Sequence, residues 1–256
     1  MITTAACSGL RADPAMPGYG ARLPSPAQAG EAALQAALHP ATWATALGAV
    51  VFALDDLDER ASRWAMRHTP IYGSARAADD ASTVLDGVLA AAMAGSALAV
   101  EPSVDAGSPW RERGERLAVE GLAVGVTGGL SLGLKEATDR LRPNGEDRAS
   151  FPSGHASLAF ALTAGTTRNV EALAVSEPAR VGLDAAAYVL AGAAGWGRIE
   201  AGKHFPSDVL AGAAIGHFLG SFAADAFLGP DEGDGWPSVS LAPSTRGFAL
   251  ALTWPL

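Results

Sequence analysis

The sequence predicts an all-α protein, a bundle of about six core helices with a small β-hairpin at its C-terminal end. Three observations carry that prediction. Six uncharged apolar runs, at 41–54, 87–100, 121–134, 156–167, 185–197 and 209–224, are separated by polar connections bearing Pro or Gly. Thirty glycines and abundant alanine suit closely packed helices. Near the C-terminus the apolar period drops to two.

Taken in order, residues 1–30 hold Pro14, Pro17, Pro24 and Pro26 with scattered Gly and Ser, and read as an extended leader. The stretch has neither the basic start nor the apolar core of a signal peptide, so no export signal is expected in it. Thr4-Ala5-Ala6-Cys7 is weakly similar to the end of a lipoprotein signal and reads better as a chance cysteine. Residues 31–230 are expected to form the helical domain. Its runs measure 14, 14, 14, 12, 13 and 16 residues, whereas a bilayer span needs about 20. Asp86 and Glu120 stand where two runs would otherwise lengthen. A soluble or membrane-surface form is therefore expected, and integral insertion is the weaker expectation. Residues 231–256 read as a linker and hairpin. Asp231-Glu232-Gly233-Asp234-Gly235 is polar, and after Val239-Ser240-Leu241 the residues Phe248, Leu250, Leu252 and Trp254 alternate with smaller ones.

Composition excludes several functions. Eighteen Lys and Arg against 27 Asp and Glu leave a net charge of −9, which argues against nucleic acid as a partner. A single cysteine rules out an internal disulfide framework and any CxxC metal site. Asp55-Asp56-Leu57-Asp58-Glu59 lacks the 12-residue calcium-loop pattern and reads as a solvated charged turn.

Three clusters between residues 135 and 208 carry chemistry. Lys135 and Arg142 are seven apart, about two helical turns, so both cations can share one face before Pro143 stops the helix. Pro152-Ser153-Gly154-His155 opens the fourth run. Ser153 suits an N-cap, Gly154 leaves N–H groups open, and a helix N-terminus beside cations attracts an anion. In the third cluster Arg198 offers a planar fork for phosphate oxygens. Asp208, four residues after His204, can accept from one imidazole nitrogen and leave the other to attack. Each cluster alone has a plainer reading as a basic helix end, a capped helix start or a structural His–Asp pair. In an up-and-down bundle all three meet at one end. Glu136, Asp139 and Glu200 form no metal-ligand set by spacing and are expected to face solvent. His217 reads as a core histidine.

The pattern K-x6-RP, PSGH and R-x5-H-x3-D, ten defined positions in order, resembles the signature of the type 2 phosphatidic acid phosphatase (PAP2) superfamily. That superfamily also holds bacterial class A acid phosphatases and vanadium-dependent haloperoxidases. The resemblance covers residues 117–228. Gly197 departs from it, because the family usually has Ser before the Arg of its third motif.

The resemblance implies a metal-independent phosphatase with no cofactor, in which vanadate binds as a phosphate mimic. His204 would attack phosphorus and form a phosphohistidine, Asp208 would orient it, and His155 would serve as acid and then base. Lys135, Arg142 and Arg198, with the N–H groups near Ser153 and Gly154, would hold the phosphate oxygens. Lipid phosphates or isoprenyl diphosphates are the implied substrates, and a bacterial periplasm or cell envelope the implied location. A vanadate-dependent haloperoxidase is the alternative within the fold. A non-catalytic phosphate-binding envelope protein is the alternative outside it, disfavoured because a binding module needs no nucleophile.

Overall fold

The computed structural model describes residues 21, 23–102 and 108–228, and the backbone of 238–244 and 247–253. Eight helices run through the described residues: α1 (Pro26–Leu38), α2 (Pro40–Ala53), α3 (Leu57–His68), α4 (Ala75–Ala99), α5 (Pro109–Thr138), α6 (Gly154–Glu171), α7 (Glu177–Glu200) and α8 (Pro206–Phe227). The strands β1 (Ser238–Ser244) and β2 (Gly247–Thr253) pair antiparallel, with Ser238 opposite Thr253 and Ser244 opposite Gly247. The six apolar runs lie in α2 and α4 to α8, so α1 and α3 are additional elements. Ser25 caps α1 and exchanges hydrogen bonds with Gln28, which starts a helix inside the stretch read as leader. Cys7, the linker 231–237 and Trp254 lie outside the described residues.

Helix α6 is the centre of the bundle, packed by α8, α7, α4 and α5, with α2 and α1 laid against α8. The closest approach is between α6 and α8, where Gly212, Gly216 and Gly220 recur every fourth residue. A Cβ on Gly216 would sit 1.9 Å from the Ser157 carbonyl oxygen, and one on Gly212 2.5 Å from that of Ser153. Only glycine permits backbone contact at this distance.

Helix lengths correct the expectation drawn from the short runs. Helices α4, α5 and α8 have 25, 30 and 22 residues and are apolar enough to cross a membrane, and α1 with α2 forms a fourth candidate bent by 56°. Asp86 and Glu120 ended two of the uncharged runs without ending the helices, because both point into the bundle and are only 7% and 4% exposed. The distribution of apolar residues points the same way. The buried apolar set is mostly alanine, while Leu47, Val50, Val84, Leu122, Leu132 and Val189 are exposed. Small residues inside and large aliphatic ones outside is the arrangement of helices that meet lipid.

His217 is a satisfied core histidine, as expected. Its Nδ1 pairs with Thr42 Oγ1 at 2.8 Å and its Nε2 with the Tyr188 hydroxyl at 2.7 Å. It borders a cavity of about 250 Å³ lined also by His39, Thr167 and Arg168. Thr167 is twelve residues along α6 from His155, about 18 Å away, so this cavity is separate from the motif residues.

Candidate active site

The three sequence clusters converge at one end of the bundle. Lys135 lies in the last turn of α5, His155 in the first turn of α6, Arg198 in the last turn of α7 and Asp208 in the first turn of α8. Arg142 and His204 occupy the loops between. The charges of Lys135, Arg142 and Arg198 all bear on both imidazoles.

His204 is placed by a sharp exit from α7. Gly202 has φ +68, and a Cβ on it would lie 2.6 Å from Met66 Sδ. The chain then folds back so that the His204 N–H donates to the Arg198 carbonyl at 3.2 Å. The ring is 2% exposed. Its Nδ1 faces the Ser150 carbonyl oxygen, which can only accept, so Nδ1 carries the proton and the neutral ring keeps its lone pair on Nε2. Burial, followed by the charges of Lys135 and Arg198, pushes the imidazole pKa well below its usual value. The ring is therefore neutral at ordinary pH, as a nucleophile must be.

Asp208 does not hold His204 in the way the spacing suggests. Its Oδ2 accepts the Ser150 hydroxyl at 2.5 Å and the Phe205 N–H at 2.8 Å, and its Oδ1 accepts from Arg140 Nη1 at 2.6 Å. The carboxylate lies on the first turn of α8 and is consumed there, while the Ser150 carbonyl turns to the imidazole. Asp208 thus reaches His204 through Ser150.

The cations are already engaged. Lys135 Nζ donates to the carbonyls of Ala149 and Pro152 at 2.7 and 2.6 Å, bracing the segment that leads into α6. Arg142 Nε donates to Asp147 at 2.5 Å, and Arg198 Nη1 donates to Asp79. Ser153 caps α6 through Ala156 N, and its own N–H donates to the Asp208 carbonyl at 2.9 Å. An anion at this helix start therefore meets the N–H groups of Gly154 and His155, and that of Ser153 is spent.

Several residues here escaped the sequence reading. Arg140, inside the first motif, bridges Asp208 and Asp58 and stacks over Phe205 at 4.3 Å. Asp58, read as part of a solvated turn, is 2% exposed and also accepts from the Ser207 N–H at 2.9 Å. Glu200, expected to face solvent, is fully buried and accepts from Ile71 N, Tyr72 N and Trp196 Nε1. It pins the loop that enters α4. Glu136 and Asp139 are exposed as expected. Replacing Asp58 by Ala leaves the buried Ser207 N–H without its partner and Arg140 with Asp208 as its one remaining carboxylate, and is expected to cost about 3 kcal/mol in denaturant unfolding. Glu59→Ala, on the exposed side of the same turn, should change stability by less than about 0.5 kcal/mol.

Residues 117–228 match the family model described as the PAP2 superfamily. The match spans 112 of the 256 residues. Over 107 residues, 42% of this chain, the sequence is 36% identical to a lipid A 1-phosphatase from Porphyromonas gingivalis, of whose length it covers 23%. The fold resembles the transmembrane PAP2-type phosphatidylglycerolphosphate phosphatase of Bacillus subtilis, with a TM-score of 0.52 and 21% identity. That match covers 70% of this chain and 90% of the other. Aquifex aeolicus LpxE matches with a TM-score of 0.36 and 27% identity, over 43% of this chain and 68% of the other.

The structure accounts for the PAP2 position at which this chain departs. A Cβ on Gly197 would lie 2.4 Å from Ser82 Oγ and 2.8 Å from the Ala78 carbonyl. Helix α4 therefore occupies the space of a residue-197 side chain. A hydroxyl is still present there, supplied by Ser82, which donates to the carbonyls of Ala78 and Ala194.

Proposed function

We propose that the chain is a metal-independent phosphatase, embedded in a bacterial envelope membrane, that hydrolyses lipid phosphates or diphosphates through a phosphohistidine at His204. One observation carries the reading. His204 is a buried, neutral imidazole with its proton committed to the Ser150 carbonyl and its Nε2 lone pair free among three cations. A structural histidine would have both nitrogens bonded, as His217 has.

In the first step the Nε2 lone pair forms a bond to phosphorus and the bond to the leaving oxygen breaks, with His155 giving that oxygen a proton. In the second, His155 takes a proton from water as the water oxygen bonds phosphorus and His204 leaves. Lys135, Arg142, Arg198 and the N–H groups of Gly154 and His155 hold the equatorial oxygens throughout. Asp208 acts as a positioning residue by fixing Ser150 and the start of α8. Vanadate should occupy the same cradle.

A lipid is the favoured substrate class for two reasons. The site lies at one end of helices long enough to span a bilayer, so a headgroup can enter while its chains stay in hydrocarbon. The relatives with stated activities are named as phosphatases of lipids.

Phosphate release from phosphatidic acid and p-nitrophenyl phosphate, measured in EDTA with and without vanadate, tests the reading. Release that persists in EDTA and stops with vanadate is expected. No release from either compound, or halide oxidation that appears with vanadate, overturns it.

A further inference from the structure

We propose that Asp86 is a further residue of this site, a positioning residue that keeps on His155 the proton the leaving oxygen takes. The inference rests on the reading of His155 as the acid of the reaction. Asp86 stands midway along α4, outside the three motifs, with its side chain 9% exposed. Its Oδ1 is buried without a hydrogen-bond partner, and its Oδ2 lies 4.0 Å from His155 Nε2. A carboxylate buried with an idle oxygen is costly, and inside a long apolar helix such a group marks a working site. The 4.0 Å separation is too long for a hydrogen bond. It suits two groups that each bond one shared oxygen atom at about 2.8 Å.

The surroundings of His155 show why a carboxylate is needed. Burial and the charges of Arg198 on α7, Lys135 on α5 and Arg142 in the following loop hold its pKa down at about 4, with Asp79 on α4 acting in the opposite direction. The cations that hold phosphate therefore also drive the proton off the acid. Asp79 is engaged by Arg198, which leaves Asp86 as the carboxylate turned to the ring. Bound phosphate offsets the cations, and Asp86 then stabilises the imidazolium.

Asp86→Asn separates this role from a structural one by leaving group. Phosphatidic acid must gain a proton on its leaving alkoxide, whereas p-nitrophenolate leaves without one. The variant should therefore lose at least about 10-fold more kcat on phosphatidic acid than on p-nitrophenyl phosphate. Its alkaline limb for phosphatidic acid should move about one pH unit lower, because the active form is protonated His155 and its pKa falls when the anion is removed. Asp86→Glu should recover part of the loss. Equal losses on both substrates with an unmoved limb overturn the proposal. NMR titration of His155 in the vanadate-loaded protein gives a reading free of turnover: its pKa should fall in Asp86→Asn, and an unchanged titration overturns the proposal. If the unaltered chain releases no phosphate, the functional reading fails, while the titration still decides the Asp86–His155 pairing.

Discussion

Replacing His204 by Asn is expected to reduce phosphate release by at least about 10³-fold, the scale on which loss of a covalent nucleophile is felt. Asn keeps an N–H donor close to where Nδ1 meets the Ser150 carbonyl and removes only the atom that attacks. The loop that places residue 204 depends on Gly202 and on N–H bonds to the Arg198 carbonyl, and neither is altered. The loss should therefore appear in kcat with the unfolding midpoint nearly unchanged. Brief mixing with a radiolabelled substrate and an alkaline quench should leave label on the unaltered chain and none on the variant. Label retained by His204→Asn would move the nucleophile elsewhere, with His155 the first place to look. His204→Ala should be as inactive but less stable, because the buried Ser150 carbonyl then loses its donor.

The largest effect on stability is expected from Gly216→Ala. The added methyl would lie 1.9 Å from the Ser157 carbonyl oxygen and 2.8 Å from its carbon. Both are backbone atoms of the central helix and cannot swing aside. Helices α6 and α8 would have to separate, and the cost is expected to be at least about 3 kcal/mol. Gly125→Ala is the matched control, since nothing lies within 4 Å of a Cβ there. It should leave stability unchanged or raise it by up to about 1 kcal/mol, through the better helix propensity of alanine. Thermal midpoints of the two variants in the same detergent measure the difference. A similar small shift in both would mean that α6 and α8 do not touch through their backbones.

The elements that sequence reasoning located and those it misjudged differ for physical reasons. The apolar runs mark helices because uncharged stretches of that length must bury or solvate their backbone, and a helix satisfies it locally. The motif residues gather because they fall at helix ends on one side of the bundle. Helix length was misjudged because a charge count does not register which way a side chain points. Asp86 and Glu120 face inward, so the helices continue past them. Asp58 was unreadable for a related reason: among five residues of an acidic turn, only its contact with Ser207 and Arg140 distinguishes it. The expected Asp208–His204 pair failed on geometry, because the first turn of α8 aims that carboxylate at Ser150 and Arg140.

The origin of the residues that complete the site has a consequence for dissecting the chain. Asp58, Asp79, Ser82 and Asp86 all precede the segment 117–228 that carries the PAP2 match. Asp58 answers Arg140, Asp79 answers Arg198, Ser82 fills the space beside Gly197 and Asp86 faces His155. The conventional motif segment is therefore not a portable module. Cut out and produced alone, it would keep every residue of the three motifs and still present Arg198 without Asp79, Arg140 with one of its two carboxylates, and a bare helix flank where α4 belongs. Grafts, truncations and chimaeras of this chain should be cut ahead of α3, because the folded unit that holds these residues is longer than its signature.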